Sequence, residues 1–247
     1  MNMDYNTDID RLKEDSTLIV SDSFVSSIFA WMFGALLVTS LTAYLFGTSH
    51  ALTAMMYKTD AYGEASGITI FGWTVMLSPL VLVFFLSATI EKLKLPVLIL
   101  VFFAYSALLG MSISYIFLIF SNTSIVKTFL ITAGMFGVMA ILGYTTKKDL
   151  SRFRSILVMA LIGLLIATAV NLFMRSPSLD FIISIAGVII FTGVTAYDMQ
   201  TIKKTSLAGF ESHEQMVKIS IQAALNLYMD ILNLFLYLLR FYGKGRR

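Results

Sequence analysis

The sequence predicts an all-α integral membrane protein, with six transmembrane helices packed around a central, polar-striped seventh. Three observations predict it. Hydrophobic residues make up 57% of the 247 positions, charged residues only 13%, and mean hydropathy is +0.82, whereas soluble domains usually carry about 25% charge. The apolar residues fall in runs long enough to cross a bilayer core of about 30 Å, which takes about 20 helical residues. The last run carries its polar residues on one helical stripe. This composition excludes an ordinary soluble enzyme, a disordered chain and a nucleic-acid module. The pI near 9.0 comes from Lys and Arg in short loops between apolar runs. The absence of cysteine excludes disulfides, thiolate metal sites and cysteine nucleophiles.

Residues 1–23 carry Asp4, Asp8, Asp10, Glu14, Asp15 and Asp22 against Arg11 and Lys13. A cleavable signal peptide needs a positive start and a small-residue cleavage site, so this segment reads as an acidic cytoplasmic tail, amphipathic or disordered. The transmembrane domain follows at 24–241, with spans at 24–46, 68–90, 95–119, 126–144, 155–174 and 179–200 and a more polar seventh at 219–241. Pro96 and Pro177 sit at span boundaries, where proline is tolerated. Residues 242–247 form a basic C-terminal tail.

Lysine and arginine set the orientation. With the N-terminus inside, the inner side holds Arg11, Lys13, Lys92, Lys94, Lys147, Lys148, Arg152, Arg154, Lys203, Lys204 and Lys218. The outer loops hold Lys58, Lys127 and Arg175. That is a positive-inside bias with a cytoplasmic N-terminus. Arg240, Lys244, Arg246 and Arg247 lie outside if the seventh segment crosses and inside if it re-enters, and the sequence leaves this open. Gly63/Gly67 and Gly134/Gly137 read as turn or close helix-packing positions. His50 and His213 read as solvated loop histidines.

The seventh segment is the most informative. Gln222, Asn226, Asp230, Asn233 and Tyr237 recur every three or four residues, one stripe of an α-helix. Lipid cannot satisfy these groups, so the stripe must face other helices or water. Two carboxylates lie well inside apolar runs, Asp198 and Asp230. A charge at a helix centre costs roughly 2.5–3.5 kcal/mol on insertion scales, so each needs a partner or a function. Two readings stand side by side. Each aspartate pairs with a donor such as Lys92, Lys204 or a tyrosine and locks helices together. Alternatively, the two approach across the sixth and seventh helices, share a proton and offer oxygen ligands that suit transient Ca²⁺. The second reading requires the seventh helix to begin outside the membrane or to shift along its axis.

Three motifs then carry a resemblance. Phe191-Thr-Gly-Val-Thr-Ala-Tyr-Asp-Met-Gln-Thr-Ile-Lys203 resembles the signature of the Bax inhibitor-1 family, with Gly193, Tyr197, Asp198 and Gln200 in its core. Ala224-Leu-Asn-Leu-Tyr-Met-Asp-Ile-Leu-Asn-Leu-Phe235, containing Tyr228 and Asp230, resembles the family's last helix. Gly143-Tyr-Thr-Thr-Lys-Lys-Asp-Leu-Ser151 resembles a loop of its bacterial members. The likeness covers roughly residues 24–243.

The resemblance implies a seven-helix fold with a central last helix. It implies a pH-sensitive Ca²⁺ leak in which the two motif aspartates, here Asp198 and Asp230, form the sensor and gate. The family's basic partner falls nearest to Lys92, where an arginine is common; lysine cannot grip a carboxylate bidentately. The acid that some members carry inside the second helix is absent between Glu64 and Glu91. No tightly bound cofactor and no enzymatic activity are expected. The second aspartate motif of intramembrane proteases, Gly-x-Gly-Asp, is missing, because Asp230 follows Leu227-Tyr228-Met229. The alternative function is an interaction protein that modulates a membrane-bound AAA protease or a stress response, with the acidic tail as its handle. The expected location is the bacterial cytoplasmic (inner) membrane.

Overall fold

The computed structural model describes residues 4–59, 65–89 and 92–245, with side chains described from Asp22 onward apart from 59, 65–66 and 87–88. Gly63, Arg246 and Arg247 lie outside the described residues, as do the side chains of the acidic tail before Asp22. Helix α1 (Asp4–Thr48) runs without a break, so the backbone of the tail continues into the first span. Next come α2 (His50–Met56), a hairpin of β1 (Tyr57–Thr59) and β2 (Ala65–Ile68), and α3 (Ile70–Thr89). Helices α4 (Leu95–Ile113), α5 (Ile116–Ile119) and α6 (Asn122–Thr145) lead to a 3₁₀ turn at Leu150–Phe153. Helices α7 (Arg154–Met174), α8 (Pro177–Ala208) and α9 (His213–Tyr242) complete the chain.

Six stretches are long and apolar enough to cross a membrane: Asp22–Thr48, Leu95–Ile119, Asn122–Thr145, Leu150–Met174, Pro177–Ala208 and His213–Tyr242. The polar-striped segment is among them. The shorter one is α3, whose apolar stretch is Ile70–Leu86 and which contains Pro79. The outer surface is apolar, with Trp73, Phe84, Leu100, Leu165 and Leu172 all exposed. An apolar surface on this scale needs lipid to cover it.

Helix α9 packs against α8, α1, α6 and α4, whereas α7 packs chiefly on α8 and α3 on α4. Of its span, 61% is buried, against 11% for the span containing α7, so α9 is the inner helix. Lipid gives little hydrophobic drive between helices, so packing here relies on close approach and internal hydrogen bonds. Gly143 on α6 meets the Ala196 carbonyl of α8, and Gly187 on α8 lies under the Tyr237 ring of α9. The close-packing expectation for Gly134 and Gly137 is corrected: nothing lies within 4 Å of a Cβ built at either.

The ends of the bundle sort the loops. At one end the Phe24 and Phe210 rings meet at a tilt with centroids 4.7 Å apart, Ser27 meets Ser220 at 3.3 Å, and Lys204 meets Asp149 at 2.6 Å. The start of the first span and the α6–α7 and α8–α9 connections therefore share one face. At the other end Lys244 N–H donates to Ser124 Oγ, Ser121 N–H donates to the Lys244 carbonyl, and Arg240 pairs with Asp180. Helix α9 thus crosses from one face to the other and does not re-enter. Its terminal arginine, the residue that disturbs the charge bias, is neutralised by Asp180 in the first turn of α8.

Candidate functional site

The site lies between α8 and α9. Helix α8 is launched by Ser176, whose Oγ accepts from Leu179 N–H, with Pro177 at its first position. Helix α9 is launched by Ser212, whose Oγ accepts from Gln215 N–H, while Gln215 Oε1 accepts from Glu211 N–H. Asp198 lies ten residues before Ala208, about 15 Å, and Asp230 lies seventeen after His213, about 25 Å. The connection at 209–212 is long enough to carry the start of α9 about 10 Å past the end of α8. The depth mismatch in the sequence is resolved because α9 begins six residues before the apolar run.

With this offset the two carboxyl groups are brought together as direct neighbours across the α8–α9 interface. Asp230 is only 4% exposed, and no N–H or O–H of the described residues donates to its Oδ2. Two carboxyl groups in such contact need one proton between them, because neither oxygen set is otherwise a donor.

A cavity of about 250 Å³ reaches Asp198 from the face that carries the α8–α9 connection. Its walls include Phe24, Thr201, Thr205, Ile219, Gln222 and Asn226. Asp230 is not among the lining residues, so the cavity ends at the upper member of the pair. Beyond it the interface is closed: Tyr237 stacks on Phe191 at 5.8 Å and covers Gly187.

The polar stripe divides into parts. Gln222 and Asn226 are exposed in the cavity, Asp230 is buried against Asp198, and Asn233 donates to the Met229 carbonyl of its own helix at 2.8 Å. Tyr237 packs by its ring. Lys92 is exposed in the α3–α4 connection, and the ion pairs among the described residues include none between it and either aspartate. Around the cavity, one carboxylate (Asp198), two side-chain amides (Gln222 and Asn226) and two hydroxyls (Thr201 and Thr205) offer oxygen. Among the described residues no cluster of three or more His, Asp or Glu occurs. Ca²⁺ takes six to eight oxygens in a resident site, at or beyond the limit of what this lining offers.

Several further residues fix the frame around the site. Gln200, two residues past Asp198, accepts from Leu150 N–H and donates to the Lys148 carbonyl, both at 2.8 Å. Lys203 Nζ donates to the Tyr144 carbonyl at 2.8 Å and lies over that ring. Lys204 pairs with Asp149, and this hydrogen bond, helped by Ser151 N–H, holds the Asp149 carboxyl at a pKa of about 2. The end of α8 is therefore clamped to the α6–α7 connection. On the far side of α9, Tyr228 and Thr39 hydroxyls meet at 2.6 Å, Thr39 donates to the Ser106 carbonyl, and Tyr105 donates to Met229 Sδ. These anchor α9 to α1 and α4. Gly193 and Tyr197 lie half-buried on α8. Only their motif spacing pointed to them.

A family model described as "Inhibitor of apoptosis-promoting Bax1" matches residues 21–247. A protein of Borreliella burgdorferi is 39% identical over 238 residues, 96% of this chain and 99% of its own length. The inner membrane protein YbhL of Escherichia coli K12 is 39% identical over 225 residues, 91% of this chain and 92% of its own. A Rickettsia prowazekii protein is 38% identical over 224 residues, 90% of each chain.

Proposed function

The chain belongs to the Bax inhibitor-1 family of membrane proteins, and on that premise we propose that it is a pH-sensitive Ca²⁺ leak protein gated by Asp198 and Asp230. The observation that carries the reading is the cavity that ends at Asp198, with Asp230 buried behind it. With one proton shared, the pair closes the α8–α9 interface. Loss of that proton as pH rises leaves two like charges in a medium of low dielectric, where repulsion is strong. The helices then part at this level, and Gln222, Asn226 and the freed carboxylates line the path. Lys92 is a partner for Asp198 only after such a movement. The Gln200 clamp fixes the cavity end of α8, so the displacement is taken up below it.

The membrane reading extends to orientation. The face holding Lys147, Lys148, Arg152, Arg154, Lys203 and Lys204 is cytoplasmic by the positive-inside rule, α3 is the remaining crossing, and the membrane is the bacterial inner membrane. The protein is not an enzyme and holds no resident cofactor.

The test is Ca²⁺ flux into dye-loaded proteoliposomes across pH 5.5–8.5. Wild type should leak more as pH rises, and Asp198→Asn and Asp230→Asn should each shift or abolish the dependence. Absence of flux at every pH in folded protein would sink the proposal. A second reading, favoured by the continuation of α1 back to Asp4, makes that helical extension a docking element for a partner such as a membrane-bound AAA protease. Deleting residues 1–20 should abolish partner capture and leave the leak intact.

A further inference from the structure

A groove of about 680 Å³ opens at the face opposite the basic loops, between α7, the start of α8 and the end of α9. Its rim carries Arg175, Arg240 and Asp180, and its walls descend through Leu172 and Thr168 to Leu165. From Arg175 to Leu165 is ten residues of helix, about 15 Å, so the groove runs from the membrane edge into the hydrocarbon. Leu165 and Leu172 are 68% and 73% exposed, a surface that only lipid can cover. Thr168 turns its hydroxyl to the Leu164 carbonyl, which leaves its methyl for the groove.

The rim is a built structure. Asn171 is buried; its carbonyl accepts from Arg175 N–H, its Oδ1 accepts from Ser176 N–H, and its Nδ2 donates to Asp180 Oδ1. The same Asp180 oxygen accepts from Arg240 Nη2 at 2.6 Å. These bonds hold Arg175 at φ 50°, ψ 36°, a left-handed conformation that an arginine seldom adopts. Two guanidinium groups against one carboxylate leave the rim with one net positive charge. Guanidinium is the cation best matched to phosphate oxygens.

We propose that this groove binds a phospholipid with a singly anionic headgroup, in the leaflet opposite the basic loops. Arg175 and the free edge of Arg240 hold its phosphate, and one acyl chain lies along Leu172, Thr168 and Leu165. The net charge of the rim matches a phosphodiester that lacks a compensating headgroup amine, and the apolar wall below it matches a chain and not a soluble anion.

Native mass spectrometry of the full chain, released from mild detergent with added lipid, tests this. Phosphatidylglycerol should be retained about two- to fivefold better than phosphatidylcholine of the same chain length, the worth of one uncompensated charge contact. Arg175→Gln should drop retention to the phosphatidylcholine level, and Arg175→Lys should recover part of it. Lys127→Gln, a charge removed at the same face, should change nothing. Equal retention of the two lipids, or of phosphatidylglycerol by wild type and Arg175→Gln, would overturn the proposal. Complete displacement by millimolar inorganic phosphate would also overturn it, because the rim would then be an anion site with no part for the chain.

Discussion

Lys204 Nζ lies 2.6 Å from Asp149 Oδ1, joining the end of the helix that carries Asp198 to a connection 55 residues earlier. Asp149 has a folded-state pKa of about 2 because it accepts from Lys204 first and from Ser151 N–H second. A carboxyl whose pKa is depressed on folding stabilises fully above its unfolded value, near 3.8, and loses that contribution as pH falls toward 2. The clamp is therefore constant across the neutral range. Amide exchange of a peptide covering 146–153 should be flat from pH 8 to 5 after correction for intrinsic rates. It should rise below pH 4, and Lys204→Met should raise it throughout. Both partners are half exposed, so high salt should mimic the mutation in part.

Gln200 should matter more than the ion pair beside it. It is 6% exposed and makes two 2.8 Å bonds to the backbone of the α6–α7 connection. Gln200→Ala leaves a donor and an acceptor unsatisfied, at about 1–3 kcal/mol. Gln200→Glu keeps the bond from Leu150 N–H and sets an oxygen against the Lys148 carbonyl. Both variants should melt below wild type in detergent, and a melting temperature for Gln200→Ala within a degree of wild type would contradict this account.

How much of this was legible in the sequence can be seen at the pair and the clamp. The spans were readable because 20-residue apolar runs permit few structures in lipid, and the 3.6-residue period placed Asp230 on an inward stripe. The meeting of Asp198 and Asp230 was conditional on where α9 begins, which Ser212 and the Glu211–Gln215 bond decide. The clamp was legible only in part: Gln200 and Asp149 fall in the motifs that carry the resemblance, but their contacts, and the pairing of Lys204 with Asp149, depend on the packing of α6 on α8. The β1–β2 hairpin was likewise hidden, because its short strands lack alternation.

Helix α6 offers a contrast within one element. Ser124, Thr128, Thr132, Phe136, Ala140 and Gly143 are its buried stripe, while Gly134 and Gly137 lie off it. A methyl at Gly143 runs into the Ala196 backbone, which cannot swing away. Gly143→Ala should cost about 1–3 kcal/mol. Gly134→Ala and Gly137→Ala meet open space and should be neutral or up to about 1 kcal/mol stabilising through helix propensity. Melting temperatures of the three variants, measured side by side, decide it.

Asp180 and Arg240 form the other cross-bundle tie. Their side chains are 33% and 41% exposed, so solvent screens the pair and its net worth is about 1 kcal/mol or less. Asp180 also accepts from Asn171 and sits in the first turn of α8. Asp180→Asn should therefore cost more than Arg240→Gln. A double-mutant cycle should return a coupling smaller than the Asp180→Asn effect itself.

The carboxyl pair makes the last prediction. An asparagine at either position keeps the shape of the side chain and supplies a permanent N–H to the remaining carboxylate, where wild type depends on a proton that solution pH can remove. Asp198→Asn and Asp230→Asn should fold, and their melting temperatures should vary less between pH 5.5 and 8.5 than wild type, which should fall as pH rises. Asp230→Ala should behave differently. It removes the contact to Asp198 and opens a void beside Leu227 and Ile231, in a region packed to 0–4% exposure, so it should melt lower than wild type at every pH. Scanning fluorimetry with Trp31 and Trp73 as reporters measures all four proteins. If Asp230→Asn retained the full pH slope of wild type, the proton between the two aspartates would not be what closes the α8–α9 interface.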